Sequence, residues 1–162
     1  MDVLERFKSI KTKGENGVYI TFSFSTLKER KAKILEPNAP KVKERLDAVK
    51  EIKDLDFPVG IALMPSIPFL TDTEEELDVF FKVAKELNAD YVFVGELTYY
   101  KENKGLQKLL EKKFSINPKE VPKLYSNSYP KKAYSKAFYL KIKKFLEKYD
   151  VKIGIKPLKE FI

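Results

Sequence analysis

The 162-residue sequence contains neither cysteine nor histidine. Without cysteine there is no disulfide, and no thiolate is available to hold zinc or an iron–sulfur cluster. Without histidine the chain lacks the commonest general base near neutral pH and the commonest metal ligand. The usual residues of most metal-dependent and nucleophilic mechanisms are therefore missing, and we expect no metal site made by this chain alone.

The sequence also lacks an apolar run near the roughly 20 residues that span a bilayer. Its first ten residues, 1–10, mix charged with apolar side chains instead of forming the core of a signal peptide. We therefore expect a cytoplasmic protein with no membrane partner. The content of 43% hydrophobic and 13% aromatic residues is enough for one ordinary core, which predicts a single domain over residues 1–162.

Positive charge is concentrated in the last third of the chain. Residues 1–100 hold 15 basic and 18 acidic side chains, whereas residues 101–162 hold 17 and 6. A basic stripe of this kind suits the phosphate groups of nucleic acid. The alternative is a lysine- and glutamate-rich surface of the sort that hyperthermophilic proteins carry.

Apolar periodicity predicts strands that alternate with helices, and this alternation is typical of right-handed β/α units in a parallel sheet. A helical spacing also runs through residues 1–13, before a turn at residues 14–17. We expect Pro65 and Pro68 to end the second strand. The predicted strands are 18–24, 58–64, 91–95 and 151–155; the predicted helices run to about residue 35, through residues 42–52, 73–87 and 134–149. Thr73 and Glu76 have the spacing of a capping box at the start of helix 73–87. The apolar face of helix 134–149 is marked by Tyr134, Phe138, Ile142, Phe145 and Tyr149.

Three segments in this order resemble the carboxy-terminal half of radical S-adenosylmethionine proteins of the spore photoproduct lyase and DNA repair photolyase-like family. They are TFSFST, ILEPNAPKVKERLDAVKEI and FPVGIALMPSIPFLTDTEEEL. The later LYSNSYPKKAYSKAFYLKIKKFLEKYDVKIGI is similar to that family's tail. The resemblance covers roughly residues 15–155. It implies a half to three-quarter parallel β/α barrel, with the cofactor at the carboxyl ends of the strands.

The resemblance further implies a site for the ribose and adenine side of S-adenosylmethionine. Ser23 would lie beside the methionyl or ribose part, and residues 62–65 would face the adenine. Arg45 would hold the cofactor carboxylate, or pair with Glu36 as an ordinary ion pair. Without the resemblance, Ser23 is a small strand residue whose hydroxyl the backbone satisfies. The implied cofactor-binding set is Ser23, Ser25, Arg45, Ala62, Met64 and Pro65, with Thr26 as a polar neighbour.

The chain departs from that family at the iron–sulfur cluster. The family's Cys-x-x-x-Cys-x-x-Cys loop is absent, so the residues present cannot hold a 4Fe-4S cluster. The resemblance then implies an enzyme segment that acts only with a separate cluster-bearing amino-terminal half, or else a truncated chain or a decayed paralogue. The expected partner is that missing half, with self-association as its substitute.

Two further groups of residues are candidates for binding. Glu96 and Tyr99 follow the third predicted strand, where barrels place substrate-binding groups, although a solvated strand end explains them equally well. Lysines and tyrosines alternate in the basic third and would follow phosphates and stack bases; the alternative is a buried aromatic face with solvated lysines. The nucleic-acid candidates are Lys131, Lys132, Lys136 and Tyr139. The second function that we consider is therefore a non-catalytic nucleic-acid-binding relative.

Overall fold

The computed structural model describes residues 18–100, 104–117 and 119–154. The helix predicted for residues 1–13, the turn at residues 14–17 and residue 155 lie outside these ranges. Within them, no helix is long and apolar enough to cross a membrane. In chain order the elements are β1 (Ile20–Phe24), α1 (Glu29–Leu35), α2 (Val42–Asp54), β2 (Val59–Ser66), α3 (Glu74–Glu86), β3 (Tyr91–Glu96), α4 (Lys104–Phe114), a short 3-10 helix (Val121–Leu124), β4 (Tyr125–Ser126), β5 (Tyr129–Pro130) and α5 (Lys132–Tyr149).

The central sheet is parallel and has the order β1-β2-β3. Phe22 pairs with Ile61 and Ile61 with Val92, so three apolar side chains stand in one row across the sheet. The fourth predicted strand is represented by a single parallel bridge between Val92 and Ile153. The strand and helix types that the apolar periodicity predicts are otherwise confirmed in the described residues.

The predicted radical SAM type of barrel is wrong. The described residues form a three-stranded parallel sheet, a two-stranded antiparallel ribbon (β4 and β5) and five α-helices. A closed barrel needs further tilted strands that pair edge to edge around the whole circumference. Between β3 and α5 the chain instead forms α4, the 3-10 helix and the short ribbon. Strand–helix alternation indicated parallel pairing correctly, but it does not determine how many strands join the sheet.

One face of the sheet is covered by helices. Val59, Ile61 and Leu63 of β2 alternate onto this face and are buried with the apolar faces of α2, α3 and α5. The rings of Phe81 on α3 and Phe145 on α5 are parallel, with centroids 6.0 Å apart. This main core explains why the apolar stripes of the three helices sit at helical spacing.

A second, smaller core lies beyond the carboxyl end of the sheet. It joins the loop after β2 to α4, the 3-10 helix and the ribbon. The buried members are Ile67, Leu70, Tyr99, Leu110, Val121 and Tyr125. This core places the segment that follows β3 against the strand ends, where the candidate residues of the sequence lie.

The second strand ends between Pro65 and Pro68, as the sequence predicts, but Pro65 itself lies inside the strand. β2 continues to Ser66, which pairs with Glu96 of β3, and the Met64–Pro65 peptide bond is cis. The β2–β3 register is irregular between Leu63 and Ser66. Because proline has no N–H to donate, an irregular stretch of this kind is where a strand tolerates it.

Candidate functional site

Arg45 is engaged within the fold. Its Nη1 donates to the carbonyl oxygen of Ser23 and its Nη2 to Glu36 Oε2, each at 2.7 Å. The guanidinium also lies 4.5 Å from the centroid of the Phe24 ring. Glu36 Oε1 accepts the backbone N–H of Ser25 at 3.2 Å. These contacts fasten α2 and the connector before it to the end of β1, and they favour the ion-pair interpretation of Arg45.

Thr26 also has a structural partner. Its hydroxyl donates to Glu76 Oε2 at 2.7 Å, and both residues are buried. Lys31 Nζ lies 2.7 Å and Lys28 Nζ 3.2 Å from Glu76 Oε1. The sequence suggested instead a capping box at the start of α3. Only half of it forms: Thr73 Oγ1 accepts the N–H of Glu76 at 3.3 Å, while the Glu76 side chain turns to β1 and α1.

Three of the six predicted cofactor residues meet on the sheet face opposite the helices. Ser23 pairs in register with Ala62, and Ala62 pairs with Phe93. Met64 follows on the same side of β2 and is 47% exposed. Pro65 is exposed beside it, whereas the Ser25 hydroxyl is buried and has no hydrogen-bond partner in the described part of the chain.

Aromatic rings on this same face were not singled out by the sequence. Tyr91 contacts Tyr19 and Phe93 edge to face, with centroids 6.2 and 5.4 Å apart. The Tyr91 hydroxyl donates to the carbonyl oxygen of Ile20 at 3.1 Å and lies 2.7 Å from Thr21 Oγ1. Burial raises the pKa of Tyr91, and the hydrogen bond with Thr21 lowers it by a smaller amount. The signal was present along β3, where the aromatic residues Tyr91 and Phe93 alternate with valines.

The structure brings the two predicted substrate residues together around Tyr125. The rings of Tyr99 and Tyr125 have centroids 5.2 Å apart. Glu96 Oε2 accepts the hydroxyl of Ser135 at 3.0 Å. Burial, followed by the charges of Glu96 and Asp72, raises the pKa of Tyr125 above its usual value. Tyr99 is fully buried, so it belongs to the second core rather than to a solvated strand end.

Asp72 and Tyr134 complete this polar cluster. Tyr134 donates its hydroxyl proton to Asp72 Oδ2 at 2.8 Å, and Asp72 Oδ1 accepts the N–H of Phe69 at 2.7 Å. Burial and the charge of Asp72 raise the pKa of Tyr134, so the phenol stays neutral. Four buried oxygens of the cluster have no hydrogen-bond partner within residues 18–100, 104–117 and 119–154: Ser66 Oγ, Glu96 Oε1, Tyr99 Oη and Tyr125 Oη.

The lysines of α5 divide into two groups. Those on the side that faces α3 are paired: Lys144 Nζ lies 3.0 Å from Glu74 Oε2 and Lys148 Nζ 2.6 Å from Asp78 Oδ1. Lys141 donates to the carbonyl oxygen of Asp72 at 3.0 Å. We call this contact between α3 and α5 the seam. Lys143 pairs with Glu147 of its own helix at 3.8 Å.

The second group lies at the start of α5 and away from the seam. Lys131, Lys132 and Lys136 are exposed and form no ion pair with any residue that the structure describes. Tyr129 and Tyr139 beside them are 71% and 58% exposed. We call these five residues the outer basic surface. It contains all four residues that the sequence suggested for nucleic-acid contact.

Comparisons with known proteins do not assign a family. No protein-family model matches the chain. Over 102 residues the chain is 30% identical to the uncharacterized protein ORF301 of the Acidianus two-tailed virus, a match that covers 61% of this chain and 31% of that protein. The chain therefore spans less than a third of the curated relative that it matches.

Proposed function

We propose that this chain is a nucleic-acid-binding module and that the outer basic surface makes the contact. The observation that carries this proposal is the division of the α5 lysines. Lysines on the seam are neutralised by acids of α3, whereas Lys131, Lys132 and Lys136 have no acidic partner in the described ranges. Uncompensated cations are the groups that bind phosphates and release counterions.

The position of these lysines strengthens the argument. Lys131 is the N-cap of α5 and Lys132 its first residue, the first turn has no acidic residue, and the N-cap makes no side-chain hydrogen bond to it. A helix amino terminus carries partial positive charge, so a cation there costs about 0.3–1 kcal/mol where an acid would stabilise. A bound phosphate relieves this repulsion and accepts hydrogen bonds from the first-turn N–H groups.

The exposed tyrosines supply a second type of contact. Lys132, Lys136 and Tyr139 are spaced by four and three residues, so they share one face of α5. Tyr129 projects from the ribbon that leads into this helix. Bases of a single strand stack on exposed rings, whereas a duplex hides its base faces. We therefore favour single-stranded nucleic acid as the ligand.

Fluorescence anisotropy with a labelled 20-nucleotide oligo(dT) at several salt concentrations tests the proposal. We expect binding that weakens steeply with salt, and a shallower slope of log K against log salt for the double variant Lys131→Glu, Lys132→Glu. The same variant should unfold at an equal or higher temperature, because acids suit the start of a helix. Loss of binding with a gain in stability cannot come from misfolding.

Seam lysines provide the matched control. The double variant Lys144→Glu, Lys148→Glu changes the net charge by the same amount as Lys131→Glu, Lys132→Glu, but each of its substitutions places like charges together across α3 and α5. We expect this seam variant to melt at lower temperature with little change in the salt slope. The proposal is wrong if oligo(dT) does not bind at 50 mM salt, or if seam and outer variants weaken binding equally.

The cofactor-binding role implied by the resemblance is a second candidate. It is supported by the neighbouring positions of Ser23, Ala62 and Met64 on the sheet face opposite α2, α3 and α5, beside the ring of Phe93. Isothermal titration of S-adenosylmethionine into the wild type and into Met64→Glu tests it, because the Met64 side chain is exposed and its replacement leaves the core intact. Binding that this substitution abolishes supports the candidate, and absence of heat at millimolar ligand excludes it.

A further inference from the structure

A groove separates α1 from the carboxy-terminal half of α4. It consists of two adjoining depressions of about 450 and 440 Å³, which share Ile34 of α1 and Lys113 of α4. The groove is distant in sequence from the outer basic surface and belongs to other helices. The side chains that matter for the argument are Arg30, Ile34, Lys108, Leu109, Lys112 and Lys113.

The floor of the groove is apolar and belongs to neither of the two cores that the described residues form. Ile34 and Leu109 are half-buried, and neither belongs to the main core or to the second core. The adjacent Leu110 is buried in the second core, so α4 is already fixed by its other side. Two aliphatic side chains are therefore directed to a surface channel and not to the interior.

The rim of the groove is positive. Arg30, Lys108, Lys112 and Lys113 form no ion pair in the part of the chain that the structure describes. One acid, Glu29, also lines the groove, and its carboxylate accepts the backbone N–H of Val42 at 3.0 Å. The neighbouring Lys28 and Lys31 are paired with Glu75 and Glu76. Four cations without an ion-pair partner in the described residues therefore outnumber this single acid around an aliphatic floor, and this excess of positive charge defines the chemistry of the occupant.

We infer that this groove binds an acidic amphipathic helix of a partner protein. Helices that dock in grooves do so through apolar residues at positions i, i+3, i+4 and i+7. Carboxylates on the flanks of such a helix would meet the rim cations, and its apolar stripe would cover Ile34 and Leu109. Complementary charge gives such a contact its specificity and its association rate.

The groove is less suited to nucleic acid than the outer basic surface. Among the described residues that line it, Phe114 is the single aromatic one, and its ring is half-buried because it packs against the second core. Stacking on rings is the main source of affinity for single strands beyond charge. The two surfaces therefore differ in the ligand that each recognises, although both are basic.

A displayed library of 16-residue peptides, selected on the full chain, tests this inference. Counter-selection uses the double variant Lys112→Glu, Lys113→Glu. We expect enriched peptides to combine Asp or Glu with apolar residues at helical spacing. Synthetic copies should bind in fluorescence anisotropy and lose roughly tenfold or more in affinity with the groove variant. The variant of the outer basic surface, Lys131→Glu, Lys132→Glu, should bind these peptides as the wild type does.

Each other outcome overturns the inference. Failure to enrich acidic amphipathic peptides means that the groove is not a peptide site. If the groove variant loses oligo(dT) binding, the groove belongs to the nucleic-acid surface. If light scattering shows a dimer that the groove variant abolishes, the occupant is a second copy of this chain. The peptide selection and the light-scattering result do not depend on whether the outer basic surface binds oligo(dT), so the two proposals fail separately.

Discussion

Replacement of Glu76 by glutamine should destabilise the protein strongly. The carboxylate side chain is 2% exposed and receives a hydrogen bond from Thr26 at 2.7 Å. It also lies 2.7 Å from Lys31 Nζ and 3.2 Å from Lys28 Nζ. Glutamine keeps the volume of the side chain but removes its charge. The neighbouring cations are then left without their buried partner.

The size of the effect follows from how much water reaches the two lysines. Breaking a fully buried ion pair costs about 3–5 kcal/mol. The side chains of Lys28 and Lys31 remain 30% and 29% exposed, so solvent takes up part of their charge. We therefore expect a loss of about 2–3 kcal/mol in the free energy of unfolding, which is roughly a 30- to 150-fold smaller folding equilibrium constant.

Urea denaturation followed by circular dichroism measures this change. Glu75→Gln is the matched control, because Glu75 also bonds Lys28 but its side chain is 77% exposed. Thr26→Val removes the hydroxyl that donates to Glu76 and accepts the backbone N–H of Lys28 at 3.1 Å, and it should cost about 1–3 kcal/mol. Equal stabilities of Glu76→Gln and Glu75→Gln would show that the buried carboxylate does not hold β1, α1 and α3 together, and our reasoning would be refuted.

Two further predictions concern the polar cluster and the sheet. The pKa of Tyr134 is raised in the folded protein by burial and by Asp72. Its contribution to stability is therefore complete below pH 10 and falls as the pH rises above that value. In Tyr134→Phe the free energy of unfolding, measured with urea between pH 8 and 11, should fall less steeply with pH than in the wild type, and an unchanged slope would contradict this. Gly60→Ala should lower the free energy of unfolding by about 1–3 kcal/mol in the same assay, because a Cβ there overlaps the hydrogen-bonded Tyr91 ring. Gly95→Ala should lower it less, because the added Cβ meets only a flexible methionine side chain. Equal losses for the two variants would contradict this.

Local patterns predicted most of the secondary structure because they depend on near neighbours. The spacing of Phe138, Ile142 and Phe145 predicted the buried face of α5, and the structure confirms it. Thr73 was correctly placed at the start of α3 by its spacing from Glu76. Each of these features depends on residues within about two helical turns, so the sequence around them suffices.

Contacts between segments that are distant in the chain could not be predicted from these local patterns. Strand–helix alternation indicated parallel strands, but it carries no information about closure, and the partial barrel that the resemblance implied is not formed by the described residues. Arg45 was equally compatible with a cofactor carboxylate and with Glu36, and only the folded chain shows it bonded to Glu36 and to the carbonyl oxygen of Ser23. The side chain of Glu76 went to Thr26, 50 residues away, instead of completing a capping box.

The sequence by itself determined the absence of thiolate and imidazole chemistry, a basic last third, and the positions of the three strands of the parallel sheet and of every described α-helix except α4. Which of its lysines remain uncompensated was decided by tertiary structure. Lys132 and Lys148 are both lysines of α5. Of these two, only Lys148 faces an acid of α3, Asp78, which lies 70 residues earlier in the chain. Charge composition is a property of the chain, whereas charge compensation depends on which helix faces are packed together.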